Sequence, residues 1–261
     1  MPLISSEPEF LDLDTYLAKK GLTFEAIEEP LAKARVDLLT GSLVRGHGTE
    51  ESDIDGYRFV SEDGAAHEVA NIVHNGVRID IENIPVAEIE HGLARLAEFD
   101  PLDPSQNALG IKLGKTWALR PLVDVMGRIA EGRILPASQH ADLPARIRAS
   151  HLRHVATAIR WMDAENRYED ALGFLKMGAF LSCHMSTIDC LCHALLALLN
   201  RDGIFCDRTK WAIPFAHRLP EELVPDLERM ILPKTLDRAH LRWALRQNDR
   251  LLNAAKETAA A

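Results

Sequence analysis

The feature that most constrains this chain is a pair of aspartates, Asp53 and Asp55, on one face of a predicted strand. Residues 38–42 read as a buried strand and a glycine-serine turn, and a polar loop then leads into the aspartates. Because side chains alternate along a strand, both aspartates point to one side while Ile54 points into the core. Two carboxylates about 4 Å apart repel by about 4 kcal/mol at an effective dielectric constant of about 20. Since aspartate is also a poor strand former, the pair predicts a bound cation.

A third carboxylate follows on the segment Val77–Pro85, which alternates apolar and polar residues as a half-buried strand does. Its apolar residues are expected to face the core, leaving Arg78, Asp80 and Glu82 on the opposite face. If this strand lies beside the strand with Asp53, three acidic side chains converge. Oxygen ligands without histidine or cysteine suit Mg²⁺. Two such ions would activate the attacking oxygen and stabilise the leaving oxygen of an in-line displacement.

These elements, in this order, resemble the signature of the nucleotidyltransferase superfamily that includes DNA polymerase β. Residues 41–46, Gly-Ser-Leu-Val-Arg-Gly, are similar to the Gly-Ser-x-x-Arg-Gly form of that family, and Val77–Pro85 resembles its third-carboxylate strand. Gly56 departs from the pattern, where an apolar strand residue is usual, and suggests a bend or bulge. The resemblance covers about residues 35–86. It implies an α+β fold, in which a small mixed sheet with flanking helices precedes an all-helical domain.

The resemblance also implies roles for the acidic residues. Asp53 and Asp55 would hold two Mg²⁺ ions, and Asp80 would be the third metal ligand. Asp80 is also the first candidate for the base that takes the proton of the acceptor, and Glu82 on the same face is the alternative.

The expected nucleotide-binding residues are Gly41, Ser42, Arg45, Ser52 and Lys210. Backbone N–H groups after a glycine-serine turn can cradle phosphate, and the fork of an arginine suits phosphate oxygens. For Ser52, the alternative to nucleotide binding is a role in capping a turn. For Arg45, the alternative is a solvated position in the loop. Lys210 precedes Trp211 in an arrangement similar to the C-terminal part of several small-molecule nucleotidyltransferases. There the lysine would neutralise the triphosphate. The alternative is that Trp211 is a plain core residue.

The charge of the chain bears on its acceptor. The formal net charge is -9, and the sequence has no long basic run. Proteins that bind nucleic acid usually carry a basic stripe, so nucleic acid is not the expected partner. The length and the acidic balance resemble the aminoglycoside-modifying branch of the superfamily, which implies a small hydroxyl-bearing acceptor.

The sequence predicts a cytoplasmic protein without a membrane partner. The N-terminus lacks the charged and apolar regions of a secretory signal, and the most apolar stretch, 194–199, is short enough for a core helix. Four cysteines are expected to be reduced thiols: Cys183, Cys190, Cys192 and Cys206. Structural zinc sites use closely spaced cysteines in loops, whereas Cys183, Cys190 and Cys192 fall on one predicted helix, so a zinc site is not favoured.

Two prolines within residues 100–105 mark the expected domain boundary. The predicted domains are a catalytic nucleotidyltransferase domain at 1–104 and an α-helical domain at 105–261. Near the start of the first domain, Asp14 is expected to cap a short helix that runs to Lys20. Apolar residues at three- and four-residue spacing predict the helices of the second domain. These helices are 117–129, 143–165, 169–200, 210–218, 220–231 and 236–258.

The leading functional hypothesis is an Mg²⁺-dependent enzyme that moves a nucleoside monophosphate, AMP in the first instance, from a nucleoside triphosphate to a hydroxyl group and releases pyrophosphate. The alternative is a non-catalytic or protein-modifying nucleotidyltransferase-like partner of the toxin–antitoxin type. The sequence does not identify the acceptor, the preferred nucleotide or the oligomeric state.

Overall fold

Five strands form one mixed sheet in the computed structural model of the chain, which describes residues 10–61, 69–103 and 105–257. The strands are β1 (Leu38–Thr40), β2 (Ile54–Val60), β3 (Val69–His74), β4 (Val77–Pro85) and β5 (Arg133–Ile134). Their order is β3-β4-β2-β1-β5, with β2 and β4 parallel and the other neighbours antiparallel. Helices flank the sheet and continue after it, so the predicted α+β class is confirmed.

The chain divides into two compact units. In the described ranges, the sheet unit contains residues 10–61, 69–97 and 112–150, and the helical unit contains 98–103, 105–111 and 151–257. The predicted boundary places 112–150 in the helical domain, whereas these residues cluster with the sheet. Their strand β5 pairs with β1, which explains why they belong to the sheet unit.

The apolar half of the β4 alternation forms the core beneath the sheet. The side chains of Val77, Ile79 and Ile81 are fully buried and pack in one cluster with Ile54 of β2. Each buried aliphatic side chain stabilises the fold by about 1.5–3 kcal/mol. This burial fixes the register, because a slip by one residue would move the whole apolar set to the other face.

The helices of the sheet unit are α1 (Leu13–Lys19), α2 (Glu25–Lys33), α3 (Gly41–Val44), α4 (Val86–Glu98), α5 (Leu119–Ala130) and α6 (Leu143–Ala149). The predicted N-cap at Asp14 is wrong for α1. Asp12 caps the helix, because its carboxylate accepts a hydrogen bond of 2.8 Å from the backbone N–H of Thr15.

Two strand features differ from their predictions. Gly56 causes no bulge, since β2 keeps its pairing with β1 and β4 through this residue. The position favours glycine because a Cβ there would lie 3.1 Å from Cγ1 of Val36. Strand β5 was not predicted, because two residues are too few to show an alternation.

Glu88 joins α4 to the loop that precedes α5. Its carboxylate is fully buried and accepts hydrogen bonds from the N–H groups of Lys115 at 2.8 Å and Thr116 at 2.7 Å, and from the Thr116 hydroxyl. Burial raises the pKa of Glu88, but these hydrogen bonds outweigh it and hold the pKa below its ordinary value. Glu88 is therefore a buried charge compensated by the backbone of one loop.

The helical unit contains α7 (Leu152–Met177), α8 (Phe180–Arg201), α9 (Ala212–Phe215), α10 (Leu227–Ile231) and α11 (Arg238–Glu257). The sequence placed the break between the two long helices at 166–168, and this is wrong. The first helix runs on to Met177 and ends at Gly178, which takes a left-handed conformation with φ 76°. A glycine at this position is a common helix stop.

Helix α8 is the core of the helical unit. Within the described residues it is the helix that is long and apolar enough to cross a membrane, yet 56% of its apolar window is buried inside the protein. It packs against α7 and α11. These contacts are typical of the central helix of a helical bundle.

Candidate active site

The parallel pairing of β2 and β4 brings two predicted site residues side by side. Asp55 and Asp80 are direct register partners. Neighbouring strands lie about 4.8 Å apart, and register partners on parallel strands point to the same face. Both side chains are half-buried on the face opposite the core. Glu82 lies on this face too, two residues further along β4 and in register with Tyr57.

Asp53 lies immediately before β2 and reaches the same place through Arg78. One guanidinium nitrogen of Arg78, Nη2, donates to Oδ2 of Asp53 at 2.7 Å and to Oδ2 of Asp80 at 2.6 Å. Nε of Arg78 donates to Oδ1 of Asp80 at 2.9 Å. Arg78 therefore binds Asp80 with two hydrogen bonds and links it to Asp53.

These contacts change the electrostatics of the pair. Hydrogen bonds from Arg78 hold the pKa of Asp80 below its ordinary value, although burial acts in the opposite direction. Hydrogen bonds and charge from Asp80 raise the pKa of Arg78. The alternation along β4 predicts Arg78 on this face, but it does not predict a role for it. Its spacing of two residues from Asp80 on one strand was the available signal.

Gly41 follows β1 and lies against Asp55. Its φ is 85°, in the left-handed region that favours glycine. A Cβ at this position would lie 1.9 Å from Oδ2 of Asp55. Any side chain here would therefore collide with the carboxylate. The glycine of the predicted glycine-serine turn is thus needed both for the backbone and for the position of Asp55.

Ser42 and Ser52 meet at the end of the loop before β2. Their hydroxyl oxygens are 3.4 Å apart, and the Ser52 hydroxyl accepts a hydrogen bond of 2.9 Å from the N–H of Thr49. Ser52 therefore closes the turn at 49–52, which is the alternative that the sequence analysis left open for it. Its place beside Ser42 also keeps it next to the predicted phosphate-binding turn.

Arg45 and Lys210 are the remaining predicted nucleotide-binding residues. Arg45 is half-buried at the end of α3, four residues after Gly41. Lys210 belongs to the helical unit, where its exposed ammonium lies 4.8 Å from the ring centroid of Trp211. The predicted roles of both residues in nucleotide binding stay predictions.

The donor set at this site fits a hard divalent cation in its chemistry, since Asp53, Asp55 and Asp80 offer only carboxylate oxygens. Gly41 also leaves the Asp55 carboxylate free of steric pressure from the turn. Within residues 10–61, 69–103 and 105–257, however, no group of three His, Cys, Asp or Glu side chains is arranged to hold a metal ion. Arg78 supplies the positive charge between Asp53 and Asp80.

Comparisons with known proteins give little further guidance. No family model and no curated protein matches the sequence. Among solved structures, the chain is similar to a nucleotidyltransferase-like protein from Exiguobacterium sibiricum 255-15. That similarity covers 90% of this chain and 76% of the other, with 12% identity and a TM-score of 0.48. At this identity and TM-score the similarity does not assign an activity to this chain.

Proposed function

We propose that this protein is a nucleotidyltransferase that moves a nucleoside monophosphate, first of all AMP from ATP, to a hydroxyl group of a small molecule and releases pyrophosphate. The observation that carries this proposal is the register match of Asp55 and Asp80 on parallel strands, with Gly41 directly against Asp55. A glycine-serine turn beside two strand carboxylates is the arrangement that the resemblance to nucleotidyltransferases implies.

Different groups of the site have different roles in the proposed reaction. Asp53, Asp55 and Asp80 would hold two Mg²⁺ ions, which would neutralise the triphosphate and make the acceptor hydroxyl more acidic. The N–H groups of the turn at Gly41 and the Arg45 guanidinium orient the phosphates. Positioning and charge neutralisation supply most of the catalysis in phosphoryl transfer.

The chemical step needs one base. The oxygen of the acceptor forms a bond to the α-phosphorus, and the bond from that phosphorus to the pyrophosphate oxygen breaks. The hydroxyl proton passes to a carboxylate and then to water. Asp80 is the first candidate for this base, and the half-buried Glu82 on the same face of β4 is the second.

A small acceptor is favoured by the charge of the whole chain. With a net charge of -9, the protein repels the phosphate backbone of a nucleic acid unless a local basic patch compensates. A small neutral or cationic molecule with hydroxyl groups meets no such barrier. The aminoglycoside type of acceptor satisfies this condition.

The test is a transfer assay with α-labelled ATP or GTP, Mg²⁺ and a panel of hydroxylated small molecules. Expected are release of pyrophosphate and label on one acceptor, and both are lost in the Asp53→Asn variant. The variant is a close control because it keeps the shape of the side chain and removes its charge. Turnover that survives Asp53→Asn refutes the assignment of the site.

A second candidate is favoured by Arg78. Because this residue gives two of the carboxylates a partner within the chain, the site could also persist in a protein that does not catalyse transfer. Such a protein would be a nucleotidyltransferase-like partner of the toxin–antitoxin type. A transferase that acts on a protein would share the same site and differ only in its acceptor. The first predicts no pyrophosphate with any acceptor, and the second predicts label on protein alone.

A further inference from the structure

Arg78 bridges Asp53 and Asp80, two of the proposed metal ligands. It gives Asp80 two hydrogen bonds, of 2.9 and 2.6 Å, and Asp53 one of 2.7 Å. We propose that Arg78 is an internal counter-ion which a divalent cation has to displace before the site can work. This inference rests on the proposed function, because the same carboxylates are assigned to the metal.

The contacts of Arg78 compete directly with metal binding. Both oxygens of Asp80 and Oδ2 of Asp53 are already hydrogen-bonded to the guanidinium. A divalent ion on these oxygens would lie next to a fixed positive charge, and like charges at such short range repel. The guanidinium and the ion therefore cannot both keep their best positions.

The side chain of Arg78 can also move away from the two carboxylates without disturbing the core. Its side chain is 59% exposed, whereas those of Asp53 and Asp80 are 35% and 22% exposed. Its register partner on the edge strand β3 is Val73, which is itself exposed. A swing of the long side chain into solvent would not open the core, because the core lies on the other face of β4.

The exchange couples metal binding to nucleotide binding. When an ion displaces Arg78, the guanidinium loses its carboxylate partners, and the nearest new anions would be the phosphates of an incoming nucleotide. A metal ion alone is then bound weakly, whereas a metal–nucleotide complex gives Arg78 a replacement partner. Arg78 would thus offset part of the negative charge of the site at rest and favour loading with both ligands together.

The experiment measures metal binding without any turnover. Mn²⁺ and Mg²⁺ are titrated separately into the wild-type chain, Arg78→Gln, Arg78→Lys and a control, with calorimetry for both ions and electron paramagnetic resonance for Mn²⁺. The control is Lys33→Gln, which removes the same charge from an exposed pair with Glu29 in the same unit. Since Arg78 is exposed, its variants are expected to fold, and circular dichroism checks this.

Loss of Arg78 should tighten the binding of the metal alone. We expect Arg78→Gln to bind either ion about three- to thirtyfold more tightly than the wild type, which corresponds to the loss of two half-exposed ion pairs. The metal affinity of Arg78→Lys, which keeps the charge but not the forked guanidinium, should lie between those of the wild type and Arg78→Gln. The affinity of Lys33→Gln should match that of the wild type. Equal or weaker binding by Arg78→Gln, or no binding by any chain, overturns the inference.

The inference and the proposed function fail in different ways. If Arg78→Gln binds metal more tightly but no nucleotide releases pyrophosphate, the transfer activity is refuted and the counter-ion stands. If the wild type releases pyrophosphate while Arg78→Gln binds metal no more tightly, the activity stands and the counter-ion is refuted.

Discussion

Replacing Gly41 by alanine tests the contact on which the candidate site depends most. The new Cβ would lie 1.9 Å from Oδ2 of Asp55, whereas ordinary contacts begin at 3.4 Å, so the carboxylate has to move by about 1.5 Å. A misplacement of about 1 Å in an active site can cost about 10²-fold in rate. We therefore expect Gly41→Ala to lose at least about 10²-fold of the transfer activity.

Gly21→Ala is the matched control for this change. Gly21 also has a positive φ, of 72°, but a Cβ there meets nothing within 4 Å. Both variants pay the left-handed backbone cost of about 1–2 kcal/mol, while only Gly41→Ala displaces Asp55. For a chain of this size each kcal/mol lowers the midpoint of thermal unfolding by about 2–4 °C.

The two variants are compared by pyrophosphate release and by calorimetric unfolding. Gly21→Ala should keep the wild-type rate and melt a few degrees lower. Gly41→Ala should melt at least as low and lose its activity. If Gly41→Ala keeps the rate of Gly21→Ala, the Asp55 carboxylate does not need its position, and its role in the site is refuted.

Three further changes have defined outcomes. Asp53→Asn should abolish transfer while changing the free energy of unfolding by less than about 1 kcal/mol, since it weakens one half-exposed pair with Arg78; a large loss of stability on urea titration would mean a structural role instead. Glu88→Gln should destabilise the fold by about 1–3 kcal/mol at neutral pH. Because the folded pKa of Glu88 is lowered, the stability advantage of the wild type is present above the ordinary pKa of 4.5 and shrinks as pH falls through the folded pKa. Urea titrations at pH 7 and pH 3.5 measure this advantage, and an equal difference at the two pH values contradicts the account. Lys210→Ala should raise the KM for the nucleotide about tenfold with little change in the thermal midpoint, since the side chain is exposed; an unchanged KM removes Lys210 from the nucleotide site.

The faces of the carboxylate strands were predictable because burial decides them. Alternation along Val77–Pro85 placed the apolar side chains inward, and the structure buries Val77, Ile79 and Ile81 completely. This alternation is visible in the sequence, so the polar side chains could be assigned to the opposite face as well. The side-by-side position of Asp55 and Asp80 followed from a resemblance, since alternation alone does not choose which strands pair.

The role of Arg78 could not be read from its position in β4. A strand arginine beside an aspartate is commonly a solvated residue, and its link to Asp53 depends on the register between β2 and β4. Register depends on contacts that are distant in sequence. The pairing of β5 with β1 could not be predicted either, since a two-residue strand shows no alternation. Residues 112–150 therefore cluster with the sheet, although the predicted boundary places them in the helical domain.

Helix limits were missed where several polar residues compete for one role. Asp12 and Asp14 are both good N-caps by type, and only the hydrogen bond to Thr15 distinguishes them. Gly178 stops α7, whereas the polar residues at 166–168 continue it. In both cases the outcome depends on local backbone geometry that composition does not carry.

The burial of Glu88 has a consequence for how the sheet unit can be divided. The backbone leaves this unit after residue 97 and rejoins it at 112, so its two stretches are joined in space largely by side-chain and strand contacts. A protein ended at residue 104 would keep the Glu88 carboxylate but lose the Lys115 and Thr116 donors that compensate it. Such a fragment would carry an uncompensated charge in its interior. The smallest piece expected to fold by itself therefore has to extend through α6.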